Sequence, residues 1–228
     1  MILRPALLAL TLTLASPALA KEGPNLVPST LAPMGAVGAT ALAWQLYSEG
    51  LDREDPLMML TAIRLARGSE MRAATGWAVT SPDMAAEVPA TPTGLPRDPA
   101  SDAALSLAIL MAEGDPALAD LAADIEAGLT LRQPTSRISM AASTLVPGTS
   151  DRWRIPFPGQ SRAEVALLAD GPAGFTLQIT DETGAVICRQ PKPDDLAYCA
   201  FTPGWNGYFT LTITNHGPAA QSYRLLSN

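Results

Sequence analysis

The sequence has one histidine, His216, and two cysteines, Cys188 and Cys199, in 228 residues. Charged residues make up 16% of it, aromatics 5%, and the formal net charge is −7. Each shortage excludes something. An excess of acid repels phosphate, so nucleic acid is not an expected partner. A pair of cysteines cannot staple a disulfide-dense scaffold. Cys and His together offer too few ligands for a closed zinc site. A serine hydrolase would have to use His216 as its base, and Ser150, Ser161 and Ser222 stand in no G-x-S-x-G turn. The phosphate loop, the dinucleotide fingerprint and the H-E-x-x-H helix are also missing. No cofactor and no metal site is expected.

Residues 1–20 read as a secretory signal peptide. Arg4 supplies the positive start, Ala6–Leu14 the apolar run, and Ala18-Leu19-Ala20 the cleavage site. No cysteine lies near the cut, which argues against a lipid-anchored form. No later run reaches the roughly 18 apolar residues of a membrane span. The expectation is a periplasmic or secreted protein with no stable membrane anchor.

Composition divides the rest. Nine of the twelve Phe, Trp and Tyr residues follow residue 150, whereas the first part is rich in Ala, Leu and Met. Residues 21–135 are read as helical. Ala36–Glu49 forms one helix closed by Gly50, and Asp55-Pro56 caps and opens the next. Leu57, Leu60, Ile63 and Leu65 continue it to Gly68. The phrase recurs with Ser101–Glu113, Gly114-Asp115-Pro116, Ala117–Ala127 and Gly128. This predicts two helical hairpins, packed on each other or on the remaining domain. Between them lies a Pro-rich loop, residues 81–99, read as an extended spacer. Residues 136–150 are a linker or a first strand, since Ile138 and Met140 alternate while Pro147 interrupts.

From residue 151 to residue 228 the hydrophobic period is two. Trp153, Ile155 and Phe157 share a face, as do Phe175, Leu177 and Ile179, and Phe209, Leu211 and Ile213. Turn pairs such as Pro158-Gly159, Thr183-Gly184 and Pro203-Gly204 separate them. About seven short strands with one buried face each describe an antiparallel β-sandwich. The fold class is therefore α+β, with helical hairpins first and the sandwich after them.

Several phrases of Arg152–Asn228 carry a resemblance. They include Trp153-Arg154-Ile155-Pro156-Phe157-Pro158-Gly159, Asp170-Gly171, Ile179-Thr180-Asp181-Glu182-Thr183-Gly184, Gly207-Tyr208-Phe209 and Thr214-Asn215-His216-Gly217. In order and spacing this third of the chain resembles the bacterial pre-peptidase C-terminal domain. The resemblance implies a jelly-roll-like sandwich, often appended to secreted enzymes and without catalysis of its own. Some relatives bind calcium or polysaccharide. The family's Asp-Leu-Asp-Leu strand is here Gly174-Phe175-Thr176-Leu177, without carboxylates. Asp170, Asp181 and Glu182 remain, and turn formation accounts for them.

Cys188 and Cys199 flank a Pro-rich hairpin, Gln190–Leu196, and are expected to pair in an oxidising compartment. A redox pair is disfavoured because no C-x-x-C exists. Trp205 and Tyr208 bracket an Asn206-Gly207 turn, and Tyr208 lies opposite Phe209. They are the candidate ligand-binding residues, because exposed aromatics near turns stack on sugars or anchor protein partners. The sequence is thus read as a non-enzymatic binding protein that engages another envelope protein. The first alternative is a polysaccharide-binding module using Trp205 and Tyr208. The second is an envelope glycan hydrolase drawing its acid and base from Asp52, Glu54, Asp55, Glu113 and Asp115. Those carboxylates sit at helix ends, where negative charge complements the helix dipole, and capping is the preferred reading.

Overall fold

The computed structural model describes residues 23–28, 33–81, 96–131, 136–169, 174–191 and 196–228. The signal peptide of residues 1–20, residues 82–95 of the Pro-rich loop and Asp170 lie outside the described residues.

Among the described residues, four helices precede most of the strands: α1 (Ala36–Asp52), α2 (Pro56–Ala66), α3 (Asp102–Met111) and α4 (Pro116–Leu131). The starts of α2 and α3 follow the expected chemistry. Asp55 accepts the Met58 amide ahead of Pro56, and Ser101 accepts the Ala104 amide. Two expected stops are not stops. Helix α1 runs through Gly50 to Asp52, and α4 runs through Gly128 to Leu131. Gly50 is a packing residue: a Cβ there would stand 2.9 Å from Met59 Cγ and 3.1 Å from the Met59 nitrogen, so its absence lets α2 approach. Gly128 meets nothing within 4 Å of such a Cβ, and one interior glycine costs only about 1 kcal/mol. The hairpins do pack on each other. Tyr47, Met59, Leu60 and Ile63 form one cluster with Leu105, Ala108, Ala122 and Ile125.

Among the described residues, ten strands form two five-stranded sheets. They are β1 (Ser69–Ala73), β2 (Ala78–Thr80), β3 (Ser136–Leu145), β4 (Ser150–Phe157), β5 (Ala163–Ala169), β6 (Phe175–Thr180), β7 (Val186–Gln190), β8 (Leu196–Phe201), β9 (Gly207–Asn215) and β10 (Gln221–Ser227). Sheet A has the order β1-β3-β10-β5-β8, and sheet B the order β2-β4-β9-β6-β7. Successive strands alternate between the sheets except at the β6–β7 hairpin, which is a jelly-roll-like sandwich. The period-two residues fill its interior, where Trp153, Ile155, Phe157, Phe175, Leu177, Phe209 and Leu211 of sheet B meet Val165, Leu167, Phe201, Tyr223 and Leu225 of sheet A. Residues 136–145 are a strand, the second of the two readings given for that stretch.

Two strands arise inside the stretch read as helical. β1 adds to sheet A beside β3, in parallel, and β2 adds to sheet B beside β4. Between them Trp77 packs edge-on against Trp153, with ring centroids 6.1 Å apart. Strands of five and three residues are too short to show a period. At the opposite edge Cys188 of β7 and Cys199 of β8 form a disulfide between the sheets. Closing a loop of 11 residues contributes about 3 kcal/mol in the chain-entropy model.

The outer faces of the two sheets differ. Val37, Ala41 and Trp44, one stripe of α1, lie on Ile138, Ala166, Leu168 and Leu226 of sheet A. Strand β5 is consequently buried on both faces from Ala163 to Leu168. Helix α1 begins at Gly35 with no side-chain cap and no acidic residue in its first turn. Glu164 of β5 supplies the missing charge: its Oε1 accepts from the Gly35 amide at 2.8 Å, the Tyr198 hydroxyl at 2.7 Å and Arg162 Nε at 3.0 Å. A Cβ at Gly35 would collide with the Glu164 carboxylate, which its three bonds hold in place, so glycine leaves it room. Burial pushes the Glu164 carboxyl up, but the bonds from Tyr198, Gly35 and Arg162 outweigh it and hold it below the usual carboxylate range.

Glu164→Gln is expected to lower stability at pH 7 by about 2 kcal/mol in urea unfolding. A carboxyl depressed in the folded state stabilises above its unfolded pKa and stops doing so as pH falls through the folded value. The difference between the two proteins should therefore shrink below the ordinary carboxylate range. A difference that stays constant down to pH 3 contradicts this role for Glu164.

Candidate functional site: the open face of sheet B

With α1 over sheet A, the outer face of sheet B is the broad sheet surface that no helix covers among the described residues. Its make-up follows from register, since directly paired residues share a face. Thr80, Arg152, Thr212, Gln178 and Arg189 form one row across all five strands. Ala78, Arg154, Thr210, Thr180 and Val186 form the next. Ser150, Thr214 and Thr176 lie to one side, Pro156 and Tyr208 to the other. Four strand intervals make the face about 19 Å wide, and six residues along β4 make it about 20 Å long.

Tyr208 stands on this face, 47% exposed, with the Arg154 guanidinium 4.0 Å from its ring centroid. Trp205 is placed differently. It lies in the β8–β9 loop, partly buried, and its Nε1 donates to Glu182 Oε1 at 2.6 Å. Asn25, wholly buried, holds the same loop: its Oδ1 accepts the Trp205 amide at 2.9 Å, and its Nδ2 donates to the Trp205 carbonyl at 3.1 Å. The Asn25 amide donates to Asp181 Oδ2 at 2.7 Å, and the Val27 amide to the Thr202 carbonyl at 2.8 Å. The segment 23–28 is thereby tied to the end of the sandwich. The two candidate residues thus occupy different settings, one in a hydrogen-bonded loop and one on an open strand.

Asp181 is a turn organiser. Its Oδ1 accepts the amides of Thr183 and Ala185, each at 2.9 Å, and the Thr183 hydroxyl at 2.7 Å. Burial pushes its carboxyl up, and the bonds from Asn25, Thr183 and Ala185 bring it below the usual range. The carboxylates named as a possible acid and base lie on the helical layer. Asp115 Oδ1 caps α4 through the amides of Ala117 and Leu118, and Asp55 caps α2. Glu113 and Asp115 are exposed and border a groove of about 390 Å³ between α3 and α4, which Ile109, Ala112, Pro116 and Ala122 also line. His216 is exposed, with Nε2 3.1 Å from the Thr176 hydroxyl. The Ser150 and Ser222 hydroxyls are paired with Thr214 and Thr144, so neither is held by His216 as a nucleophile.

Sequence reasoning missed Asn25 and the arginines. No local signal links an asparagine to a tryptophan 180 positions away. Arg152 and Arg154 were legible as outward-facing from their alternation with Trp153 and Ile155. That they share a face with Tyr208, Gln178 and Arg189 is a matter of register, which one sequence does not state.

No family model and no curated protein matches the sequence. Among solved structures, the chain is similar to the pre-peptidase C-terminal domain of a Bacillus anthracis collagenase. Identity is 15% and the TM-score 0.34, over 40% of this chain and 88% of that one. It is also similar to Aeromonas hydrophila PliG, a periplasmic inhibitor of g-type lysozyme, at 8% identity and TM-score 0.30, over 40% of this chain and 84% of that one. A third is the C-terminal CBM6 of LamC from Zobellia galactanivorans, at 13% identity and TM-score 0.27, over 36% of this chain and 75% of that one. The first is the domain type that the residues of Arg152–Asn228 resemble. These likenesses concern sandwich architecture and carry nothing about ligand or activity.

Asn25→Ala leaves the amide and carbonyl of Trp205 without their partners, so it is expected to destabilise the protein by about 1–3 kcal/mol. Limited proteolysis should then cut within residues 23–28 faster than in the unaltered protein. Equal stability and equal cleavage would show that this tie is unimportant.

Proposed function

We propose that this chain is a non-enzymatic binding protein of the extracytoplasmic space, and that its ligand is a polysaccharide seated on the open face of sheet B. One observation carries the reading. A polar surface about 19 by 20 Å, uncovered among the described residues, presents one exposed aromatic ring, Tyr208, among threonine, glutamine and arginine side chains. Hydroxyl and amide groups match sugar hydroxyls, and a tyrosine ring offers an apolar plane with a polar tip. The Cys188–Cys199 disulfide fits an oxidising compartment. Among the described residues no helix is long and apolar enough to cross a membrane. Trp205, at the neighbouring loop, serves at the rim of the site.

The envelope-protein reading has its own observation. Leu110 of α3 is 60% exposed, Leu57 of α2 is 51% exposed, and the groove between α3 and α4 is lined largely by apolar side chains. A protein partner would seat there, on the side of the molecule away from sheet B.

The two readings separate by mutation. Retention of the protein on immobilised polysaccharide should fall about tenfold in Tyr208→Ala, a loss near 1.4 kcal/mol, with no change in thermal unfolding. Leu110→Asp should leave that retention unchanged. The reverse pattern, with capture of a partner protein lost in Leu110→Asp alone, favours the helical layer and contradicts the sheet-face reading.

A further inference from the structure

The arginines of this protein are not distributed like its acids. Arg53, Arg67, Arg72, Arg137 and Arg162 each lie within salt-bridge distance of a carboxylate. Arg152, Arg154 and Arg189 do not, among the described residues, and all three are exposed on the outer face of sheet B. No carboxylate occupies the rows that contain them. Glu182, in the β6–β7 turn, is already bonded to Trp205 and Asn25. In a chain with 22 acids and 15 bases, a face whose described rows hold three arginines and no carboxylate is a segregated charge.

We infer that the ligand of this face is an acidic polysaccharide, with Arg152, Arg154 and Arg189 holding its carboxylates. The inference rests on the sheet-face reading above and narrows it. Arginine is suited to the task, because its planar fork donates two parallel hydrogen bonds to one carboxylate. Arg152 and Arg154 are two residues apart on β4, about 7 Å, and Arg189 lies three strands away, about 14 Å. This spread suits several charges repeated along a polymer rather than one small anion. Between the arginines stand Thr210, Thr212 and Gln178, which offer hydrogen bonds and little apolar area. A protein interface of this size needs an apolar centre, and the exposed apolar groups here are separated, Tyr208 at one end of β9 and Val186 on the edge strand β7.

The net charge of −7 does not cancel this attraction. Helical-layer acids such as Glu49, Asp102, Asp115 and Asp124 lie beyond sheet A and α1, roughly 20 Å or more from the face. At 0.15 M salt the screening length is about 8 Å, so a polymer on sheet B senses the arginines and little of the helical acids.

The test is titration of the full mature chain at 0.15 M salt with polygalacturonate, methyl-esterified polygalacturonate and polyglutamate. Polygalacturonate should bind at least tenfold more tightly than its methyl ester and than polyglutamate. R152Q/R154Q/R189Q should weaken it at least tenfold with unchanged thermal unfolding, while R64Q/R97Q, which removes exposed charge elsewhere, should not. If the ester binds as well and Tyr208→Ala weakens both, the sheet-face reading stands and the acidic-ligand inference is overturned. If polyglutamate binds as tightly as polygalacturonate, charge alone is recognised and the glycan assignment is overturned. If the unaltered protein binds neither glycan, the sheet-face reading fails with it.

Discussion

The carboxylate of Glu164 is the point at which the helices and the sandwich become one body. Helix α1 begins with unsatisfied amides and no cap of its own, and β5 offers a buried carboxylate directly beneath them. Tyr198 and Arg162 hold that carboxylate in place, and Gly35 leaves it room. Without this contact the apolar stripe of Val37, Ala41 and Trp44 would be one helix face among several. With it, that stripe is set on Ile138, Ala166, Leu168 and Leu226, and the rest of the helical layer packs outward from α1.

The asymmetry of the molecule follows. Sheet A is covered by α1 over Ile138, Ala166, Leu168 and Leu226, so its outward positions there are apolar. Sheet B is sealed on one face, and its outward positions carry threonine, glutamine, arginine and one tyrosine. The turns at one end of the sandwich are pinned by Asp181, Glu182 and Asn25, which bring the segment 23–28 onto the Trp205 loop. The face beside that loop thus stands on a frame closed by the Cys188–Cys199 disulfide at one edge and by Trp77 on Trp153 at the other.

Much of this was legible in the sequence, and the parts that were not share a cause. Long alternating runs such as Trp153–Phe157 and Phe209–Ile213 declare both strand and buried face, because a period of two repeats within them. Asp55-Pro56 and Asp115-Pro116 declare helix starts for the same local reason. Gly50 and Gly128 misled because a glycine after an apolar run reads as a stop, although Gly50 answers to α2 across a tight contact. β1 and β2 are too short to carry a period. In β5 the alternation names Val165 and Leu167 as the buried face, but Ala166 and Leu168 on the other face are buried only because α1 lies above them. Tyr208 was legible as a candidate by its exposure opposite Phe209. Its arginine neighbours were legible one by one but not as a group, because cross-strand register is a property of pairs.

Placing the ligand on the open face of sheet B is the central claim. It is tested most directly by recording amide and side-chain NMR shifts of the folded protein during titration with a short polygalacturonate oligomer. The account predicts shifts concentrated at Arg152, Arg154, Gln178, Arg189, Tyr208, Thr210 and Thr212, with the amides of α2, α3 and α4 unmoved. Shifts concentrated around Ile109, Leu110 and Ala119 instead, with the sheet B positions silent, would contradict it.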